Sequence, residues 1–210
     1  IVTESIFSMD GDIADLKELV RLKHMYENVL LYVDEAHAFG ARGEQGLGCA
    51  EEAGCIREID FLVGTFGKAA ASAGAYIVCR RTIREYLVNR MRTLIFTTAL
   101  PPVNIAWTLF VVRRLTGFRE RRIHLKNISN ILREALKEKG YTCPSGSYIV
   151  PMIVGKSSDT ILRAEELQRY GFYALPVRPP TVPEGTSRIR FSLTAEIREE
   201  EIRELIKIII

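Results

Sequence analysis

The 210-residue chain is poor in the residues on which several functional classes depend. It has one tryptophan, three histidines and four cysteines. Cys49, Cys55, Cys79 and Cys143 make no CxxC pair and no metal-ligand spacing, which argues against a zinc site and a disulfide framework. They read as reduced thiols of a cytoplasmic protein, used as small buried hydrophobes. Neither sign of charge is in excess: 29 basic against 26 acidic residues leave a net +3, too little to point to nucleic acid. No apolar run is long enough to span a membrane, and no segment has the form of a signal peptide. The Gly-rich stretch 38–48 lacks the GxxxxGK[ST] spacing of a nucleotide P-loop. No metal, nucleic acid or membrane is therefore expected.

What is present is a core and three placed polar groups. At 47% hydrophobic, the chain can fill one or two domains. The runs Val29-Leu30-Leu31-Tyr32-Val33 and Ile59-Asp60-Phe61-Leu62-Val63 read as buried strands of a parallel sheet. Asp34 and His37 follow the first run, and Lys68 lies in a Gly-containing turn after the second. In such sheets ligands bind at the carboxyl ends of the strands. An acid, an imidazole and a lysine at that edge suit pyridoxal 5'-phosphate, which needs a lysine amine for attachment and a carboxylate against its pyridine nitrogen. Taken singly, the lysine reads as a solvated surface residue and the Asp as a helix N-cap. The combination at the ends of successive strands favours function.

Several words along the chain together resemble the α-oxoamine synthases, pyridoxal-phosphate enzymes of fold type I. They are Phe7-Ser8-Met9-Asp10-Gly11-Asp12, Asp34-Glu35-Ala36-His37, Gly43-Glu44-Gln45-Gly46-Leu47-Gly48 and Thr65-Phe66-Gly67-Lys68. Further on come Phe96-Thr97-Thr98-Ala99-Leu100-Pro101-Pro102 and Arg178-Pro179-Pro180-Thr181-Val182-Pro183. The resemblance implies an α/β fold: the C-terminal part of the transferase large domain (1–116), mainly parallel sheet with helices, then a small α+β domain (117–210). Family members carry a longer N-terminal portion, with a ring stacked on the cofactor and a phosphate-holding loop. This chain is accordingly expected to be a fragment, inactive by itself.

By the same resemblance, Lys68 carries the cofactor, Asp34 holds its ring nitrogen protonated, and His37 meets the ring hydroxyl or the substrate. Ser8 lies near the ring, unless it merely caps the turn before Asp10. Thr65 contacts the phosphate, and Thr97 or Thr98 reaches the phosphate of a partner subunit, so that a homodimer shares its active sites. Arg190 holds the substrate carboxylate. Arg188, two residues earlier and so on the same strand face, reads as structural or surface. Arg178 suits the distal carboxylate of a pimeloyl chain, or is a loop arginine.

The implied reaction is decarboxylative condensation of an amino acid with an acyl-CoA thioester to an α-amino ketone. L-alanine and a pimeloyl thioester are favoured, and a glycine- and acetyl-CoA-using member is the alternative. A rival of another class is a non-catalytic partner subunit, but such subunits typically lose the lysine. Related enzymes often have a second glycine just after it, where this chain has Ala70 or Ala71.

Between these words the pattern predicts elements. Residues 1–7 read as a strand, followed by a helix capped by Asp12 with apolar positions Ile13, Leu16, Leu19 and Val20. Residues 75–79 and 94–96 read as strands, and 81–92 as a basic helix. Val103 to Val112 reads as a helix apolar on every side and therefore buried, against the sheet or against a partner chain. Residues 119–139 form a charged amphipathic helix. Strands at 148–154, 172–175 and 189–193, with helices near 158–170 and 196–209, make up the small domain. His24 and His124 are assigned no chemistry.

Overall fold

A crossover helix between two strands imposes parallel pairing, and the first part of the chain follows that rule. In a computed structural model describing residues 1–209, β1 (Val2–Glu4) leads through α1 (Leu16–Met25) to β2 (Tyr32–Asp34). The short α2 (Cys49–Glu52) then leads to β3 (Phe61–Thr65) and β4 (Ala75–Cys79). The sheet order is β1-β2-β3-β4, parallel except for β4, which is antiparallel to β3. Leu31, Val33 and Leu62 are buried in it. Helices α3 (Arg81–Arg90), α4 (Arg92–Ile95) and α5 (Pro102–Val112) follow.

The second sheet is antiparallel, in the order β5-β7-β6, from β5 (Ile149–Gly155), β6 (Pro176–Val177) and β7 (Ser187–Ser192). It belongs with α6 (Arg119–Glu138), α7 (Ser157–Arg169) and α8 (Glu199–Ile209). Their apolar faces supply Ile128, Leu132, Leu136, Leu167 and Ile202, all buried, with Ile149, Met152 and Ile189 from the sheet. Helix α8 carries Glu199, Glu200 and Glu201 in its first turn and Lys207 in its last, the arrangement its dipole favours. The chain divides into two compact units, Ile1–Ile6 with Ala14–Arg119, and Phe7–Ile13 with Glu120–Ile210.

Four expectations are corrected. Asp15, not Asp12, caps α1: its carboxylate accepts the Glu18 N–H at 3.0 Å. Residues 94–96 form no strand, because the Leu94 and Ile95 amides both bond back to the Met91 carbonyl and wind the chain into α4. Residues 172–175 form none either. The Gln168 side-chain amide takes the Ala174 carbonyl at 2.7 Å, and ladder pairing begins only at Pro176, opposite Ile189. Helix α5 is a helix as expected, but this chain's own sheet does not bury it: Val103 is 73% exposed and Ile105 54%.

Candidate active site

Of the residues expected in the first unit, Asp34, His37, Thr65 and Lys68 gather at the carboxyl ends of adjacent strands. Asp34 is the last residue of β2 rather than the first after it. Its Oδ1 accepts the Ala36 N–H at 2.7 Å, which starts the turn 36–40 carrying half-buried His37. Thr65 ends the neighbouring β3; its hydroxyl accepts the Gly67 N–H at 3.1 Å and donates to the Gly74 carbonyl at 3.2 Å. That bond and the Phe66 N–H on the same carbonyl close the loop that presents Lys68. The Lys68 side chain is exposed and makes no hydrogen bond or ion pair among the described residues.

The two turns are packed against each other. Phe39 meets Phe66 edge-on at 6.0 Å between ring centroids and Tyr76 at 5.3 Å, over buried Ala70 and Leu115. Gly40 has φ +79°, and a Cβ there would come within 2.7 Å of the Ala69 Cβ. Only glycine permits both that conformation and that approach. Ala71, where related enzymes often have glycine nearby, takes the left-handed region itself at φ 47°.

Helix α5 holds the Lys68 loop from its polar side. Trp107 Nε1 donates to the Ala70 carbonyl at 3.0 Å, and Thr108 Oγ1 to Ser72 Oγ at 2.8 Å. Ser72 Oγ in turn donates to the Asn104 carbonyl at 3.3 Å. Thr97 and Thr98 follow α4 and are exposed, with the Thr97 hydroxyl on the Thr98 carbonyl at 3.4 Å.

In the second unit, Ser8 and Arg190 are brought together. Arg190 donates from Nε to the Ser8 carbonyl at 2.5 Å and from Nη1 to Ser192 Oγ. Burial lowers its pKa, and no carboxylate pairs with it among the described residues. Arg188 is not a surface residue: it is buried and ion-paired with Asp10. Arg178 is exposed just after β6, with no carboxylate partner among the described residues, and precedes the cis-linked Pro179–Pro180. His124 serves structure, its Nε2 lying 2.8 Å from the Ile197 carbonyl.

The donor set fits pyridoxal phosphate. A carboxylate with one oxygen committed to a backbone N–H, and an exposed lysine with no competing partner, stand at neighbouring strand ends. Among the described residues, no group of three or more His, Cys, Asp or Glu is placed to hold a metal. None of their helices is long and apolar enough to cross a membrane.

The family model for aminotransferase class I and II matches residues 1–209. The chain belongs to the aminotransferase class I and II family. Among members of that family, it is 60% identical over 207 residues to a protein of Glaesserella parasuis serovar 5 provisionally named 8-amino-7-oxononanoate synthase, covering 98% of this chain and 54% of the relative. A counterpart of the same provisional name from Neisseria meningitidis is 57% identical over 204 residues, 97% of this chain and 54% of that protein. The chain thus spans about half the length of the curated relatives it matches. Among solved structures, Sphingomonas wittichii serine palmitoyltransferase superposes with TM-score 0.91 at 33% identity, over 99% of this chain and 52% of that one. The 8-amino-7-oxononanoate synthase of Francisella tularensis gives 0.87 at 27%, over 100% and 61%. A serine palmitoyltransferase solved with pyridoxal phosphate gives 0.90 at 33%, over 99% and 52%. These likenesses agree with the α/β family fold expected from the motifs.

Sequence reasoning passed over Glu35, which lies inside the Asp34–His37 word. Its side chain is fully buried and accepts from Ser5 Oγ at 2.5 Å, Cys49 N–H at 3.1 Å and Ala50 N–H at 2.6 Å. One carboxylate therefore ties β1, the end of β2 and the start of α2, fixing both ends of the loop that contains His37. Burial raises the Glu35 pKa against the pull of these three bonds. Burial also raises the adjacent Cys49 thiol, to about 12, with the Glu35 charge adding to the shift. No local spacing signals this role, because its partners Ser5, Cys49 and Ala50 lie 30, 14 and 15 residues away.

Proposed function

We propose that the protein in its full length is a pyridoxal-phosphate-dependent α-oxoamine synthase. It joins the α-carbon of an amino acid to the carbonyl of an acyl-CoA thioester, releasing carbon dioxide and the free thiol. L-alanine and a pimeloyl thioester are the favoured pair, as the names of the relatives suggest. The observation that carries the reading is the placement of Asp34 and Lys68 at the ends of neighbouring parallel strands, on turns packed together through Gly40 and Ala69.

When bound, pyridoxal phosphate supplies an electron sink for the carbanion at the amino-acid α-carbon. The Asp34 carboxylate would keep the ring nitrogen protonated, and His37 would orient the ring hydroxyl or the substrate. The Lys68 amine would hold the cofactor and, once displaced by the substrate amine, remove the α-proton. Thr65 would meet the phosphate. Thr97 or Thr98 would meet the phosphate of a partner subunit, in a homodimer with shared sites. The exposed Phe96 (74%) and Val103 (73%) next to them support a protein contact at that surface. Arg190 would hold the substrate carboxylate with Ser8 beside the cofactor. Arg178, exposed and without an acidic partner, would meet the distal carboxylate of the acyl chain, which favours pimeloyl over acetyl. The 210-residue chain by itself would be inactive.

Borohydride reduction of the full-length protein with pyridoxal phosphate, followed by peptide mass mapping, tests the cofactor role. A pyridoxyl group on Lys68 and condensation of alanine with pimeloyl-CoA are expected. Absence of the adduct overturns the enzyme reading in favour of a non-catalytic subunit. An adduct with turnover of glycine and acetyl-CoA only, unaffected by Arg178→Ala, shifts the substrate reading to the acetyl-transferring relative.

A further inference from the structure

Within the second unit, the segment Ser8–Gly11 is fastened to the rest at three residues. At Gly11 (φ +68°), a Cβ would come within 2.1 Å of the Ile149 carbonyl oxygen, so the turn lies directly on the start of β5. The Gly11 carbonyl accepts the Gly146 N–H at 3.1 Å and the Ser145 hydroxyl at 3.3 Å. Asp10 is ion-paired with Arg188, whose Nε donates to the Thr186 carbonyl at 3.0 Å. The Ser8 carbonyl takes Nε of Arg190.

Arg188 and Arg190 thus leave the same face of β7 and grip one short turn two residues apart. The Arg188 side chain is only 4% exposed, while that of Asp10 is 42% exposed. A buried guanidinium without its counter-charge is costly, which fixes where Asp10 must sit. Because Asp10 is two residues from Ser8, fixing it fixes the carbonyl that holds Arg190 Nε. With Nε committed and Nη1 shared with Ser192 Oγ, Nη2 has no partner among the described residues. A carboxylate then meets the end of the fork, Nη1 and Nη2, rather than its Nε side.

The geometry points to Asp10 and Arg188 as a positioning pair for Arg190, setting the Ser8 carbonyl that aims its guanidinium at an amino-acid carboxylate. This rests on the reading of Arg190 as the carboxylate binder. Neither Asp10 nor Arg188 touches the substrate. They act through the turn.

The test uses the full-length protein loaded with pyridoxal phosphate and the variants Asp10→Ala, Asp10→Asn and Arg190→Ala. The amino-acid Kd is read by calorimetry without the thioester, and KM for each substrate and kcat by turnover. Asp10→Ala is expected to raise the amino-acid Kd and KM roughly tenfold. The KM for the acyl thioester and kcat should stay within about twofold. Asp10→Asn keeps an oxygen acceptor but not the counter-charge of Arg188, and should recover only part of the binding. If Arg190→Ala weakens amino-acid binding and Asp10→Ala does not, the positioning role is overturned while the function stands. If Asp10→Ala shifts every parameter together with the melting temperature, the pair is merely structural and the inference falls. If Arg190→Ala itself leaves amino-acid binding unchanged, the carboxylate assignment fails and takes the positioning pair with it.

Discussion

The Lys68 loop and the Arg190 strand are held in opposite ways. Around Lys68 the supports include hydrogen bonds from one side of α5, and the helix leaves other apolar side chains outward, with Val103 73% and Ile105 54% exposed. Around Arg190 the strand is buried within its own unit: Arg188, Ile189 and Phe191 are all buried, and the turn that meets them is ion-paired. The first arrangement orders a backbone but leaves apolar area in water. The second encloses both. Stability should therefore be unevenly distributed between the two units.

Truncation of core side chains should expose that unevenness most strongly. Leu132 on α6 is 0% exposed, so Leu132→Ala removes packed methyl groups and should cost about 2–5 kcal/mol in urea unfolding of the 210-residue chain. Val103→Ala on α5 should stay within about 0.5 kcal/mol in the same chain. If further polypeptide covers α5, as proposed, Val103→Ala should cost roughly 1.5 kcal/mol in the full-length protein. Equal costs for the two substitutions in the 210-residue chain would erase the contrast between the units.

The same contrast explains what the sequence made legible. Periodicity found the helices of the second unit to within a few residues, because α6 and α8 bury one face and leave the other in water, so the pattern is strong. The apolar run it took for β2 starts three residues and ends one residue early, the end because the last ladder pair is Glu4 with Asp34, where the side chains are polar. It made a strand of Leu94-Ile95-Phe96 from β-prone side chains alone, where backbone bonds to Met91 wind a helix instead. It expected burial for α5 from composition, which reports what a helix would prefer to touch and not whether a partner is present. Among the candidate site residues, Asp34, His37 and Lys68 were legible as polar groups following strand-like runs, and Thr65 only through the family resemblance. Glu35, Asp10 and Arg188 were not, because their partners are up to 178 residues away and no local spacing encodes such a pairing.

Two buried acids of the first unit sharpen the comparison through pH. Asp60 is buried, which raises its pKa, but its bonds to Lys23 Nζ (2.6 Å) and the Leu31 N–H (2.8 Å) win and hold it below the usual range. Its contribution to stability is present above its unfolded pKa and lost as the pH falls through the lower folded value. Glu35 has hydrogen-bond donors but no ion pair within 4.0 Å among the described residues, and burial wins. Its contribution is fully present below its unfolded pKa and lost as the pH rises through the higher folded value. In urea unfolding from acid to neutral pH, Asp60→Asn should flatten the acid limb, and Glu35→Gln the decline above pH ~4.3. Glu35→Gln should also cost about 1–3 kcal/mol, since an amide cannot accept from all three donors as the carboxylate does. A Glu35→Gln curve parallel to that of the parent would show that the carboxyl is not perturbed in the folded chain.

A modest and local effect should come from the bond between α5 and the Lys68 loop. Trp107→Phe keeps most of the ring but removes the N–H that reaches the Ala70 carbonyl, and should cost about 1 kcal/mol. The loss is local, because Ala70 lies next to Ala71, whose N–H closes the turn on the Lys68 carbonyl at 3.0 Å. Ala71 already sits in the left-handed region, at a cost of roughly 1 kcal/mol, so this turn depends on its external bonds to persist. Hydrogen exchange should therefore quicken about fivefold at the Ala71 and Ser72 amides and remain unchanged in β7. Quickening in both units alike would mean that Trp107 supports the whole chain. No quickening at Ala71 would mean that the loop keeps its shape without α5, and that the presentation of Lys68 is set by Thr65 and the aromatic cluster alone.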